Sequence, residues 1–153
     1  MLRLSHIAVV GAMLLGLNAC NAAPPPANSA RIDAPVAVTP APVQADKTTI
    51  VGQVFSASDD KPLSTIVRLA EFIDKDGQQF MYLDGARSPG AETNADGTFS
   101  FENIDVKKYI VVVGDVPNNN YVIISEANDK ARIYETTAGA VTNVGELRVK
   151  LPA

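Results

Sequence analysis

The chain predicts an all-β domain, an antiparallel β-sandwich of about 7–9 short strands. Three observations carry the prediction. From position 46 onward the apolar residues recur with period two, turn-forming residues separate the runs at short intervals, and no window shows an amphipathic helix of ten or more residues.

The strands follow in order. Strand 48–55 is an apolar, β-branched run closed by Asp59-Asp60-Lys61-Pro62. In 65–73, Val67, Leu69 and Ile73 share a face opposite Ile66, Arg68, Ala70 and Phe72. Asp74-Lys75-Asp76-Gly77 then supplies the positive-φ position that a hairpin needs before strand 78–84. Strand 90–94 leads into Asn94-Ala95-Asp96-Gly97, and in 98–102 Phe99 and Phe101 alternate with Thr98, Ser100 and Glu102. In 108–114, Tyr109-Ile110-Val111-Val112-Val113 is apolar on both faces, which calls for cover on both sides. Asn118-Asn119-Asn120 and Ala127-Asn128-Asp129-Lys130 bracket strand 121–126, and strand 131–136 follows. In 144–151, Gly145, Leu147, Val149 and Leu151 alternate with Val144, Glu146, Arg148 and Lys150.

Ahead of this domain, taken as 46–153, the composition changes twice. Arg3 and the amino terminus are positive, no acidic residue precedes Asp33, and an apolar run extends from Ile7 to Leu17. As a helix that run spans about 16 Å, roughly half a bilayer core, which is the length of a signal peptide and not of a membrane span. It closes with Leu17-Asn18-Ala19-Cys20. This segment resembles the lipobox of bacterial lipoproteins, with Asn18 a mild departure from the usual small residue. The resemblance implies that 1–19 is cleaved and that Cys20 receives a diacylglyceryl thioether and an acyl chain such as palmitate. The mature protein would then be held on the outer side of the cytoplasmic membrane, or on the outer membrane of a host that has one. Asn21 is not the Asp that resembles an inner-membrane retention signal. Six of the ten prolines lie between Pro24 and Pro42, so 20–45 is expected to be an extended spacer through which no sheet ladder runs.

Within the domain, Thr93-Asn94-Ala95-Asp96-Gly97-Thr98-Phe99-Ser100-Phe101-Glu102-Asn103-Ile104 followed by Tyr109-Ile110-Val111 resembles the T-x-x-(x)-G-x-F-x-F run of carboxypeptidase regulatory-like domains. Ile50-Val51-Gly52-Gln53-Val54, Lys61-Pro62-Leu63 and Asn143-Val144-Gly145-Glu146-Leu147 are similar to the opening and closing segments of that family. The resemblance implies a transthyretin-like (prealbumin-like) sandwich over 48–151. Where the family often has Gly two residues before the Tyr, this chain has Lys107. One transthyretin-like branch, hydroxyisourate hydrolase, depends on His residues and a characteristic C-terminal tetrapeptide. The only His here is His6, ahead of Cys20, so the resemblance implies a noncatalytic module.

The inventory of reactive residues agrees with that expectation. One Cys and one His assemble neither a zinc site nor a Cys–His pair, and no Ser stands in an S-x-x-K or G-x-S-x-G context. The 17 acidic against 13 basic residues, net charge −4, weigh against a nucleic-acid partner, and no cofactor is expected. Asp74-x-Asp76-Gly77 offers oxygen ligands to calcium at Asp74 and Asp76, but it lacks the rest of an EF-hand loop and equally describes an ion-free hairpin turn. Phe80 and Tyr82 share a strand face, as do Phe99 and Phe101, and the alternation points these rings into the core and away from any sugar-stacking role. A binding surface for an envelope protein or glycan is expected on the polar loops, with Asn118, Asn119, Asn120 and Tyr121 as candidates. The alternative expectation is a structural subunit of an envelope assembly, joined through a sheet edge, and behind it stands a hydrolase working through Asp or Glu.

Overall fold

A computed structural model describes residues 29–31 and 38–152 of the chain. The expected signal peptide 1–19, the lipobox-like residues Leu17, Asn18 and Ala19, and the lipidation candidate Cys20 lie outside the described residues. Among the described residues no helix is long and apolar enough to cross a membrane.

Among the described residues ten strands are present: β1 (Ser29–Arg31), β2 (Lys47–Ser56), β3 (Ile66–Lys75), β4 (Gln78–Tyr82), β5 (Gly90–Glu92), β6 (Thr98–Asp105), β7 (Lys108–Asp115), β8 (Asn120–Ile123), β9 (Ile133–Glu135) and β10 (Val141–Val149). All nine strands expected from the pattern are found, and the fold is the expected all-β sandwich. One sheet has the order β1-β10-β2-β6; the other runs β4-β3-β7-β8, with β5 also on β3 and β9 also on β7. Every pairing is antiparallel except that of β10 with β2, which run parallel.

The core fills the space between the sheets. Ile50 and Val54 from β2, Phe99 and Phe101 from β6, and Leu147 and Val149 from β10 meet Val67, Leu69, Val111 and Val113 from the opposing layer. The two Phe rings meet edge to face, with centroids 5.7 Å apart. Cover on both faces of β7, expected from its double apolar character, takes the form of a second cluster. Ala70, Ile110 and Val112 on the outer face are packed by Phe72, Leu83, Val116, Tyr121, Ile123 and Ala131.

Two expectations need correction. Val144 is fully buried, although strict alternation puts it opposite Leu147 and Val149. A bulge between Asn143 and Glu146 is the cause: Gly145 takes φ 78°, its N–H donates to Asn143 Oδ1 at 2.8 Å, and the parity of the strand shifts by one. Secondly, the tether is not free of sheet pairing. Ser29–Arg31 runs antiparallel to β10, in register with Arg148 to Glu146. Positions 27–34 contain no proline, so three consecutive peptide units are available to a ladder there. Nearer the domain, the N–H groups of Ala41 and Gln44 donate to Glu102 Oε1 and Asn103 Oδ1 on β6.

Tyr134, on β9, enters the core at 8% exposure with a hydroxyl that has no hydrogen-bond partner. The Arg132 guanidinium lies 5.4 Å from its ring centroid. Burial pushes the phenol up to about 12, and the Tyr109 phenol up to about 12 as well. The unfolded chain releases these protons near pH 10 and the folded one only near 12. Stability is therefore complete below pH 10 and falls as pH rises from 10 to 12. Tyr134→Phe removes one of the two groups and the orphaned hydroxyl with it. Urea unfolding at pH 7 is expected to show it as stable as the parent or about 1 kcal/mol more so, with a shallower decline between pH 10 and 12.

Candidate functional site

A concavity opens at one end of the sandwich, where the two sheets part. β3 and β7 are in register as Glu71 with Tyr109 and Val67 with Val113. The end of β3 and the start of β7 therefore lie together, beside the end of β6, which connects to β7 through a tight turn. A cleft of about 380 Å³ lies here, with Leu69 and Tyr109 at its base and Glu71, Tyr82, Arg87, Asp105 and Lys107 around it.

Local interactions hold this rim. Lys107 Nζ lies 2.7 Å from Glu71 Oε2, and Lys47 Nζ lies 2.9 Å from Asp105 Oδ1. The Tyr109 hydroxyl donates to the Asp105 carbonyl at 2.9 Å. Asp84 organises the loop that carries Arg87: its Oδ1 accepts from the N–H groups of Ala86 and Arg87, at 2.8 and 3.0 Å, and Ser88 Oγ accepts from the Asp84 N–H. The Tyr82 hydroxyl donates to Asp84 Oδ2 at 3.2 Å.

The electrostatics reinforce the ordinary charge states. Backbone N–H donation from Ala86 and then Arg87 holds the Asp84 carboxyl below its usual range. The hydrogen bond from Lys47 does the same for Asp105, and the hydrogen bond to Glu71 raises Lys107. The hydrogen bond to Asp84 raises the Tyr82 phenol. Each shift drives its group further into the form it already has at pH 7: the two carboxyls and the ammonium stay charged, and the phenol stays protonated.

Beside the cleft, β4 departs from expectation. Phe80 and Tyr82 lie across from Ile73 and Glu71, so they do face the core side of their sheet. They are nonetheless 50% and 45% exposed, and all five residues of β4 are exposed. Alternation assigns the face correctly; it carries no information about whether the opposing layer reaches that far. The opposing sheet leaves β4 uncovered, so the expectation of core burial fails for this pair and holds for Phe99 and Phe101.

The other sequence candidates lie elsewhere. Asp74 and Asp76 are exposed at the β3–β4 hairpin. Asp76 and Gly77 take φ 56° and 76°, the two left-handed positions of a two-residue turn, so hairpin geometry alone accounts for that motif. Among the described residues no group of three or more His, Cys, Asp and Glu side chains converges as a metal site. Asn118 and Asn119 lie in the β7–β8 connection and Asn120 opens β8, at the end of the sandwich away from the cleft. Asn118 is tied to Asp115 through its N–H and its side-chain amide, Asn119 takes φ 56°, and Tyr121 packs against the outer-face cluster.

Together these features describe a β-sandwich module with an open, mixed-charge cleft flanked by exposed rings. No family model matches the chain, and no curated protein matches it. Solved structures with a similar fold include a DUF3823 family protein from Bacteroides uniformis, with 20% identity, covering 69% of this chain and 43% of that one, at a TM-score of 0.41. The group B streptococcus pilus 2b backbone protein is similar at 17% identity over 68% of this chain and 41% of that one, TM-score 0.38. A candidate carbohydrate-binding protein from Pseudomonas aeruginosa is similar at 17% identity over 69% of this chain and 92% of that one, TM-score 0.37. The chain spans less than half the length of the first of these.

Proposed function

We propose that the chain is a lipid-anchored envelope protein whose carboxypeptidase regulatory-like sandwich is a noncatalytic binding module, and that its ligand is an envelope glycan held at the cleft and on the β4 rings. The observation that carries this reading is the exposure of Phe80 and Tyr82 on one face of β4, beside a cleft rimmed by Glu71, Arg87, Asp105 and Lys107. Alternate residues of a strand stand about 7 Å apart, so one extended ligand can lie over both rings. Flat aromatic faces suit the C–H faces of a sugar ring, and charged donors and acceptors beside them suit its hydroxyls. The same rim supports the absence of catalysis, because the shifts at Asp84, Asp105, Lys107 and Tyr82 poise none of them for proton transfer near pH 7.

The anchor follows from Leu17-Asn18-Ala19-Cys20. With β1 docked on β10, eight residues, 21–28, separate Cys20 from the folded body. Their greatest span is about 25 Å at ~3.1 Å per residue, against roughly 75 Å for the whole spacer. The module is thereby kept close to the membrane that holds it.

The test is co-sedimentation of the full chain with isolated envelope polysaccharide, followed by a glycan array. Tyr82→Ala is expected to weaken binding roughly 30-fold, the effect of losing about 2 kcal/mol at an aromatic contact. Its melting temperature is expected to stay near the parent's, because the ring is half exposed. A chain that retains no glycan, or a variant that binds as the parent does, contradicts the reading.

A further inference from the structure

The cleft concerns one face of β4; its edge is a separate matter. Among the described residues β4 ends its sheet, and one side of its backbone has no neighbouring strand there. The stretch Gly77-Gln78-Gln79-Phe80-Met81-Tyr82-Leu83 carries no charge and no proline, and every residue of the strand is exposed. Ile73, Phe80, Met81 and Tyr82, on β3 and β4, account for four of the seven exposed large hydrophobic residues among those described. The charges, prolines and bulges with which an open edge is ordinarily blunted are absent from β4.

We infer that β4 pairs antiparallel with β4 of a second copy of this chain, joining two six-stranded sheets into one. The register follows from the hairpin. Lys75 pairs with Gln78 across a two-residue turn, which directs the peptide groups of Gln78, Phe80 and Tyr82 toward β3 and leaves those of Gln79 and Met81 at the open edge. Two such edges satisfy each other when Gln79 of each copy lies opposite Met81 of the other. Phe80 then faces its own counterpart across the two-fold axis, as a pair not joined by hydrogen bonds, where side chains come closest. An uncharged strand suits this arrangement, since a charge near the axis would meet its own like.

Five residues a side bury less than a stable soluble dimer needs, so the pairing rests on the anchored reading proposed above and draws on the raised local concentration of copies held on one membrane. An axis perpendicular to the sheet keeps both clefts on the same side, making the assembly bivalent.

The experiment is disulfide trapping of the full chain in cells under mild oxidation, in which two thiols lose two protons and two electrons to the oxidant. Cys20 is the only cysteine, so the parent chain controls for crosslinking there. Phe80→Cys is expected to give a dimer of twice the mass on non-reducing gels. Asn119→Cys, at the far end of the sandwich, is expected to give none. Adding Met81→Pro to Phe80→Cys removes an edge N–H and is expected to abolish the dimer. Adding Gln79→Lys and Met81→Lys sets like charges opposite one another without altering the backbone, and is expected to do the same. No dimer with Phe80→Cys, equal dimer with Asn119→Cys, or a dimer that survives the lysine pair each overturns the inference. None of these outcomes depends on a glycan, so the edge and the cleft stand or fall separately.

Discussion

Replacing Phe99 by Ala is expected to destabilise the sandwich by about 3–5 kcal/mol, the range for deleting a buried aromatic ring. The ring is 1% exposed, at the centre of the main cluster, edge-on to Phe101. Domains of this size are stable by roughly 5–15 kcal/mol. At about 4–8 °C per kcal/mol, the melting temperature falls by at least ~12 °C. Gly52 makes the case specific. A Cβ at that position would sit 2.5 Å from Phe99 Cζ and 2.5 Å from Val144 Cγ2, so the strand carries glycine where the ring lies across it. Gly52→Ala alone is expected to cost about 1–3 kcal/mol through overpacking. In the double variant the new methyl occupies space that the ring has vacated, so the two costs should sum to less than additive, with a coupling above ~0.5 kcal/mol. Urea unfolding of the four proteins measures it. Strict additivity would mean that the ring and the glycine do not share that space.

The strands were legible because each is specified locally. Period-two alternation around Phe99 and Phe101, and the Asp-Gly turns ahead of Gln78 and Thr98, are properties of a few adjacent residues. What escaped depends on partners distant in the chain. The parallel pairing of β10 with β2 joins segments about 90 residues apart, and nothing in either run encodes that direction. The three-residue β1 is too short to show a period, and the bulge that buries Val144 rests on one backbone angle at Gly145. The cleft escaped for the same reason. Glu71 comes from within β3, Asp105 from the end of β6, Lys107 from the β6–β7 turn and Arg87 from the β4–β5 loop, and topology alone brings them together. One local signal was present, namely Lys107, a charged residue in the turn just before Tyr109, and it is the residue that pairs with Glu71 at the rim.

Cys20→Ala is expected to move most of the protein from the membrane fraction to the soluble fraction, the largest change any single substitution should produce in where the chain is found. A buried methylene contributes about 0.8 kcal/mol; one acyl chain gives a marginal, reversible association, and two or three give a durable one. Electrostatics offers no substitute, since with 17 acidic against 13 basic residues the chain gains nothing from anionic headgroups. The apolar run from Ile7 to Leu17 covers about half a bilayer core, so an uncleaved signal is a poor second anchor. Cells fed labelled palmitate should yield a labelled parent that resists an alkaline wash, and a variant that is unlabelled and washes free. Should the variant remain in washed membranes, or the parent take up no label, the attachment lies outside Cys20. The short span from Cys20 to β1 would then no longer govern how close the cleft sits to the envelope.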